Sequence, residues 1–159
     1  MRELRELNLN DGGTAVDRPP PTAHQIAVVE QLAGAPLPPA YLAFLRFSNG
    51  GHPEVDTFRL PTGAEWAVNS FFHLAADTAD SDDGMDVVGR YHRRWPGARR
   101  ALVPIANDGG DNLFCLDLDG QGNGAVVVQI HDEPGFPQVR LAGSFEEFID
   151  GLALNPDYI

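Results

Sequence analysis

The chain has 159 residues, 43% hydrophobic and 21% charged, with one cysteine and a formal net charge of −12. A chain of this length fits one domain and buries about 70% of its unfolded surface, so it needs neither a disulfide nor a structural metal, and its composition excludes wholesale disorder. All 11 basic residues are arginine, and the carboxylate excess argues against direct nucleic-acid binding and for a basic protein partner.

Cys115 has no second cysteine to pair with, which points to a reducing compartment. The N-terminal stretch MRELRELNLNDGG lacks the apolar core of a signal peptide, and no apolar run approaches bilayer length. A soluble, cytoplasmic protein with no membrane role is expected.

Residues 1–21 read as a lead-in that is flexible or docks through Leu4 and Leu7, with Asp11-Gly12-Gly13 and Pro19-Pro20-Pro21 favouring loop. Thr22 suits a helix N-cap, Ile26, Val29, Leu32 and Ala33 share one face, and Gly34 fits the stop. A second helix is expected from Pro38 or Pro39, with Tyr41, Leu42, Phe44 and Leu45 inward and Asn49-Gly50-Gly51 at its end. Short strands follow at Thr57–Leu60, Glu65–Val68 and Phe71–Leu74.

An acidic loop over 77–86 leads into a third helix, with Val87, Val88, Tyr91 and Trp95 on one side and Pro96-Gly97 at its end. Its acidic start and basic finish complement the helix dipole, which accounts for Arg90 to Arg100 without an anion site. Strands are expected over 102–106 and 112–118, and a turn from Asp119 to Gly124 joins the latter to Ala125–His131. Alternation pairs Phe114, Leu116 and Leu118 with Val126, Val128 and Ile130. A last helix begins at Ser144, with Glu147 at capping-box spacing and Phe145, Phe148, Ile149 and Leu152 as its stripe. The order of elements predicts a single α+β domain, mainly antiparallel sheet with helices packed around it.

Signatures of catalysis and of metal binding are wanting. The five histidines are scattered, with none paired at i, i+4 on a helix. Asp117 to Gly122 matches the start of a calcium-binding EF-hand loop, but Val128 stands where the bidentate glutamate belongs. Cys115 lies mid-strand among apolar residues, as a buried inert thiol does. The glycines of Asn107–Asn112 enter a strand rather than a helix, unlike a phosphate-binding loop. No catalytic residue, metal or cofactor is expected. Trp66, Asn69, Phe71 and Phe72 are candidate partner anchors, although the aromatics serve equally as core. Asp82, Asp83, Asp108 and Asp111 are the candidate acidic contacts.

Four separated pieces, in order, carry a resemblance. They are Leu37–Leu45 running into Asn49-Gly50-Gly51; Phe71–Leu74; Val103–Ala106 with Asp108-Gly109-Gly110 and Phe114–Leu118; and Ser144–Ile149. Together they resemble the SUKH superfamily, in its Smi/Knr-like branch of bacterial immunity proteins and cell-wall-assembly regulators. The resemblance covers roughly residues 22–154, so the domain is set at 22–159. It implies a non-enzymatic α+β binding protein that neutralises a polymorphic toxin, such as a nuclease, by direct contact. The alternatives are a regulatory scaffold, as the fungal relatives imply, and a metal-dependent hydrolase using the aspartate loops.

Overall fold

Helix α1 (Ala23–Ala33) starts where sequence and geometry agree. Thr22 Oγ1 accepts from the Gln25 N–H at 3.1 Å, and the Gln25 side chain accepts from the Thr22 N–H at 2.9 Å. Gly34 closes the helix in the left-handed region at φ 71°. Helix α2 (Pro39–Phe47) carries proline in its first turn. Helix α3 (Val87–Arg94) is capped by Asp86, which accepts from the Val88 N–H at 2.8 Å. In α4 (Phe145–Gly151), Ser144 Oγ accepts from the Glu147 N–H at 3.1 Å, while the Glu147 carboxylate takes the Gly143 N–H rather than that of Ser144. The computed structural model describes residues 1–78, 81–96, 100–120 and 124–155; the expectations at Asp80, Gly97, Arg99 and the centre of the 119–124 turn lie outside these residues.

The strands are β1 (Thr57–Arg59), β2 (Glu65–Ala67), β3 (Ser70–Phe71), β4 (Leu102–Asn107), β5 (Leu113–Asp117), β6 (Ala125–Gln129), β7 (Gln138–Ala142) and β8 (Leu152–Ala153). They form two antiparallel sheets, ordered β2-β1-β8 and β3-β4-β5-β6-β7. The fold is α+β. Phe114 faces Val128 and Leu116 faces Val126, the register that the alternation predicts. Pro104 sits in β4 beside a bulge, where pairing skips from Pro104–Cys115 to Ala106–Phe114. That is a position a residue without an N–H tolerates. The skipped residue, Ile105, lends its carbonyl to the Phe72 N–H at 2.8 Å.

Strands β7 and β8 were not among the expected elements, and Ile130 lies beyond the end of β6. Residues 72–74 likewise run past β3 as irregular chain. One-sided alternation also gives way in the centre of the sheet. Phe114 meets Phe148 of α4, with ring centroids 5.7 Å apart, while Cys115 on the opposite face feels the charge of Arg94 in α3. Both faces are therefore covered, and Leu113 to Leu116 are all buried.

Phe148 also stacks on Phe58 of β1 at 5.5 Å, so one ring joins the two sheets. Phe44 of α2 contacts Phe71 at 4.7 Å and Phe145 at 5.5 Å. The N-terminal segment is docked on this core: a 3-10 turn (Leu4–Leu7) buries Leu7, whose carbonyl accepts from the Glu54 N–H at 3.0 Å.

Candidate functional site

The Asn49-Gly50-Gly51 segment organises the surface in which the clefts lie. The Asn49 side chain is buried, accepts from the Leu74 N–H at 2.8 Å and donates to the carbonyls of Leu74 at 3.0 Å and Pro19 at 2.9 Å. Gly50 and Gly51 have φ 86° and 119°. A Cβ on Gly51 would meet Val16 Cγ2 at 2.7 Å, and one on Gly50 would meet the His73 backbone N at 3.0 Å. Glycine is thus required for both conformation and space. Gly51 then exchanges hydrogen bonds with Phe71, and His52 exchanges them with Asn10. Three distant segments meet here, with His52 between two clefts.

The first cleft has a volume of about 370 Å³ and is polar, lined among others by Asp11, Arg18, His52, His73 and Asp83. Its charges pair internally. Arg18 meets Asp11 at 2.8 Å, and His73 Nε2 meets Asp83 at 2.8 Å. Burial pushes the Asp83 carboxyl up, but the Met85 N–H and His73 together hold it below the usual carboxylate range. The second cleft, about 580 Å³, is lined by His52, Glu54, Asp56, Asn69, Gly109 and Leu154 among others. His52 Nδ1 is hydrogen-bonded to the Asn69 carbonyl. Leu154 is 57% exposed.

The eight residues singled out from sequence do not form one patch. Phe71 and Phe72 are corrected from partner anchors to core: they are buried against α2 and under β4, where no partner reaches them in the folded chain. Trp66 is half-buried on β2, with its indole N–H enclosed and lacking a partner. Asn69 is exposed and lines the second cleft. Asp82 and Asp83 are exposed ahead of α3, Asp83 holding His73. Asp108 turns inward and accepts from the N–H groups of Gly110 at 2.9 Å and Asn112 at 2.8 Å, folding its own loop. Asp111, at φ 65°, pairs with Arg90, which lies 5.0 Å from the Phe72 ring centroid. Arg90 and Arg94 are thereby engaged, Arg94 with the Gln129 side chain at 2.5 Å and over the Phe136 ring at 5.0 Å.

His52, Glu54, Asp56 and Leu154 were not singled out from sequence. Glu54 and Asp56 stand at i, i+2 just after the glycine pair, the only local hint; Leu154 lies far along the chain and joins them through the β1–β8 pairing. Among the described residues no group of three histidine, cysteine or acidic side chains is placed to hold a metal ion. No helix among them is long and apolar enough to cross a membrane. Burial pushes the Cys115 thiol up to about 12.

Comparison with known proteins places the chain. It is 32% identical over 91 residues to the SPbeta prophage-derived uncharacterized protein YokK of Bacillus subtilis (strain 168), a match that covers 56% of this chain and 43% of that protein. The chain therefore matches less than half the length of that relative. No solved structure matches. The family model for the SMI1 / KNR4 family (SUKH-1) matches residues 20–151, spanning all four helices and the whole five-stranded sheet. The chain belongs to the SMI1 / KNR4 family (SUKH-1).

Proposed function

We propose that this protein is an immunity protein that binds one cognate toxin domain in the cytoplasm and neutralises it by occupancy, without catalysis. The observation that carries the reading is family membership over residues 20–151. The second cleft supports it, because it presents two carboxylates and an exposed leucine with no arginine in its lining. A net charge of −12 suits capture of a basic partner, since complementary charge steers encounter and fixes orientation more than it adds affinity.

The test is co-expression with the toxin-like product of the neighbouring gene. Relief of toxicity and co-purification of the pair are expected. If the two neither copurify nor relieve toxicity, the reading is wrong and a scaffold role takes its place. Association is expected to slow by about tenfold or more between 50 and 500 mM salt, because exposed charges are screened beyond about a Debye length. Stopped-flow binding measures it, and a salt-independent rate counts against an electrostatically guided interface.

A further inference from the structure

The second cleft carries a more specific assignment, which rests on the protein-binding reading above. Its volume of about 580 Å³ lies within the range of about 300–1,000 Å³ typical of ligand clefts. Two acidic side chains line it. Glu54 is exposed, and its carboxylate has no hydrogen bond or ion pair among the described residues. Asp56 is half-buried and accepts from the Thr57 hydroxyl at 2.8 Å through one oxygen, leaving the other for the cleft. Elsewhere the carboxylates of Glu6, Asp11, Glu65 and Asp111 have arginine partners. Here there is none.

The rest of the lining is partly apolar and flanks Asp56. Leu154 projects from the end of β8, whose register is held by Thr57–Ala153 pairing and by Arg2 donating to the Leu152 carbonyl at 2.6 Å. Ala67 and Val68 of the adjacent chain segment also line the cleft, and the Val68 N–H donates to the Asp56 carbonyl at 2.9 Å. Carboxylates beside apolar groups act through a lower effective dielectric than in open water, so a cation placed between them gains more.

The charged and apolar parts of the lining, side by side, together select the occupant. An apolar anchor would cover Leu154 but strip water from Glu54 and Asp56 without replacing it, which is costly. A small cation would satisfy the carboxylates and leave Leu154 bare. A side chain with an aliphatic stem and a cationic head satisfies both, because such residues lay the stem on apolar surface and extend the charge beyond it. We infer that this cleft receives an arginine or lysine side chain projecting from the protein partner, its head between Glu54 and Asp56 and its stem on Leu154.

Gly109 supplies a clean control. A Cβ built there meets nothing within 4 Å, and its φ lies outside the left-handed region, so a larger residue fits without strain. Gly109→Arg is expected to place a competing cation in the cleft lining without disturbing the fold.

The test is NMR titration of the full ¹⁵N-labelled chain with the peptide Ac-Gly-Arg-Gly-NH₂, its lysine counterpart and its uncharged citrulline counterpart. The amides of Glu54, Asp56, Asn69, Gly109 and Leu154 are expected to shift with the arginine or lysine peptide and not with citrulline. Binding is expected to weaken at least tenfold in the Glu54→Gln/Asp56→Asn double variant and in Gly109→Arg. Equal shifts with citrulline, shifts centred elsewhere, or unchanged binding in both variants overturns the assignment. A second readout separates it from the immunity reading. If wild type protects against the toxin and both variants protect equally, the cleft assignment fails and the function stands. If wild type does not protect, the function fails, and the peptide titration decides the cleft by itself.

Discussion

At the scale of single residues, Asn49 ties together segments that are distant in the chain. One buried amide satisfies the N–H and carbonyl of Leu74 and the carbonyl of Pro19, so its loss strands backbone groups away from water. An unsatisfied buried group costs about 1–3 kcal/mol. Asn49→Ala is therefore expected to destabilise by about 3 kcal/mol in urea unfolding, and a loss under 1 kcal/mol would show that water replaces the amide. Cys115 makes the opposite case, a residue whose chemistry is silenced. With its thiol pushed up to about 12 by burial, it is expected to resist a thiol reagent at pH 8 when folded and to react fully in denaturant. Rapid labelling of the native protein would mean that β5 opens locally. Both environments are hard to read from a linear chain. Asn49 looked like a helix stop, and only the tertiary fold aims its amide at Leu74 and Pro19.

At the scale of elements, two glycines set packing distances. A Cβ on Gly89 of α3 would lie 2.0 Å from the Asp83 carbonyl oxygen, so this helix passes directly under the acidic loop. Helix propensity alone would make Gly89→Ala stabilising by about 1 kcal/mol. The clash with backbone outweighs it, and a net loss of about 2 kcal/mol, with displacement of residues 81–86, is expected in thermal melts and amide shifts. Gly151 behaves similarly at the end of α4, where a Cβ would approach Phe58 Cε2 to 2.4 Å. The acidic loop also has a pH signature. The Asp83 carboxyl sits below its ordinary range when folded, so it stabilises the fold above the unfolded value near 3.9, and that contribution is lost as pH falls through the folded value. Asp83→Asn is expected to lower stability near neutrality and to flatten its fall below about pH 4; unchanged stability at neutrality with an unaltered acid limb would show that the contacts of this carboxylate to Met85 and His73 contribute nothing. Helix starts were legible because caps are local: Thr22 and Ser144 bond groups three residues away. Strand β8 was not, because two residues carry no period and only pairing with β1 makes them a strand.

At the scale of the whole molecule, a charge of −12 on 159 residues opposes compaction through self-repulsion. Raising NaCl from 20 to 300 mM is expected to increase Tm by about 3 °C, which corresponds to about 1 kcal/mol for a chain of this size. A decrease would mean that ion pairs such as Arg18–Asp11 outweigh the repulsion.

The sequence by itself determined the α+β class, the four helices, the central hairpin register and the ordered motifs by which the family is recognised, since each depends on residues near one another in the chain. It also held the net charge of −12. Only the tertiary structure decided what the surface offers. It buried Phe71 and Phe72, turned Asp108 into its own loop, spent Asp111 on Arg90, and set Leu154 beside Glu54 and Asp56. The physical reason is that exposure and pairing depend on which distant segments pack together, and a linear pattern of residue types does not carry that information.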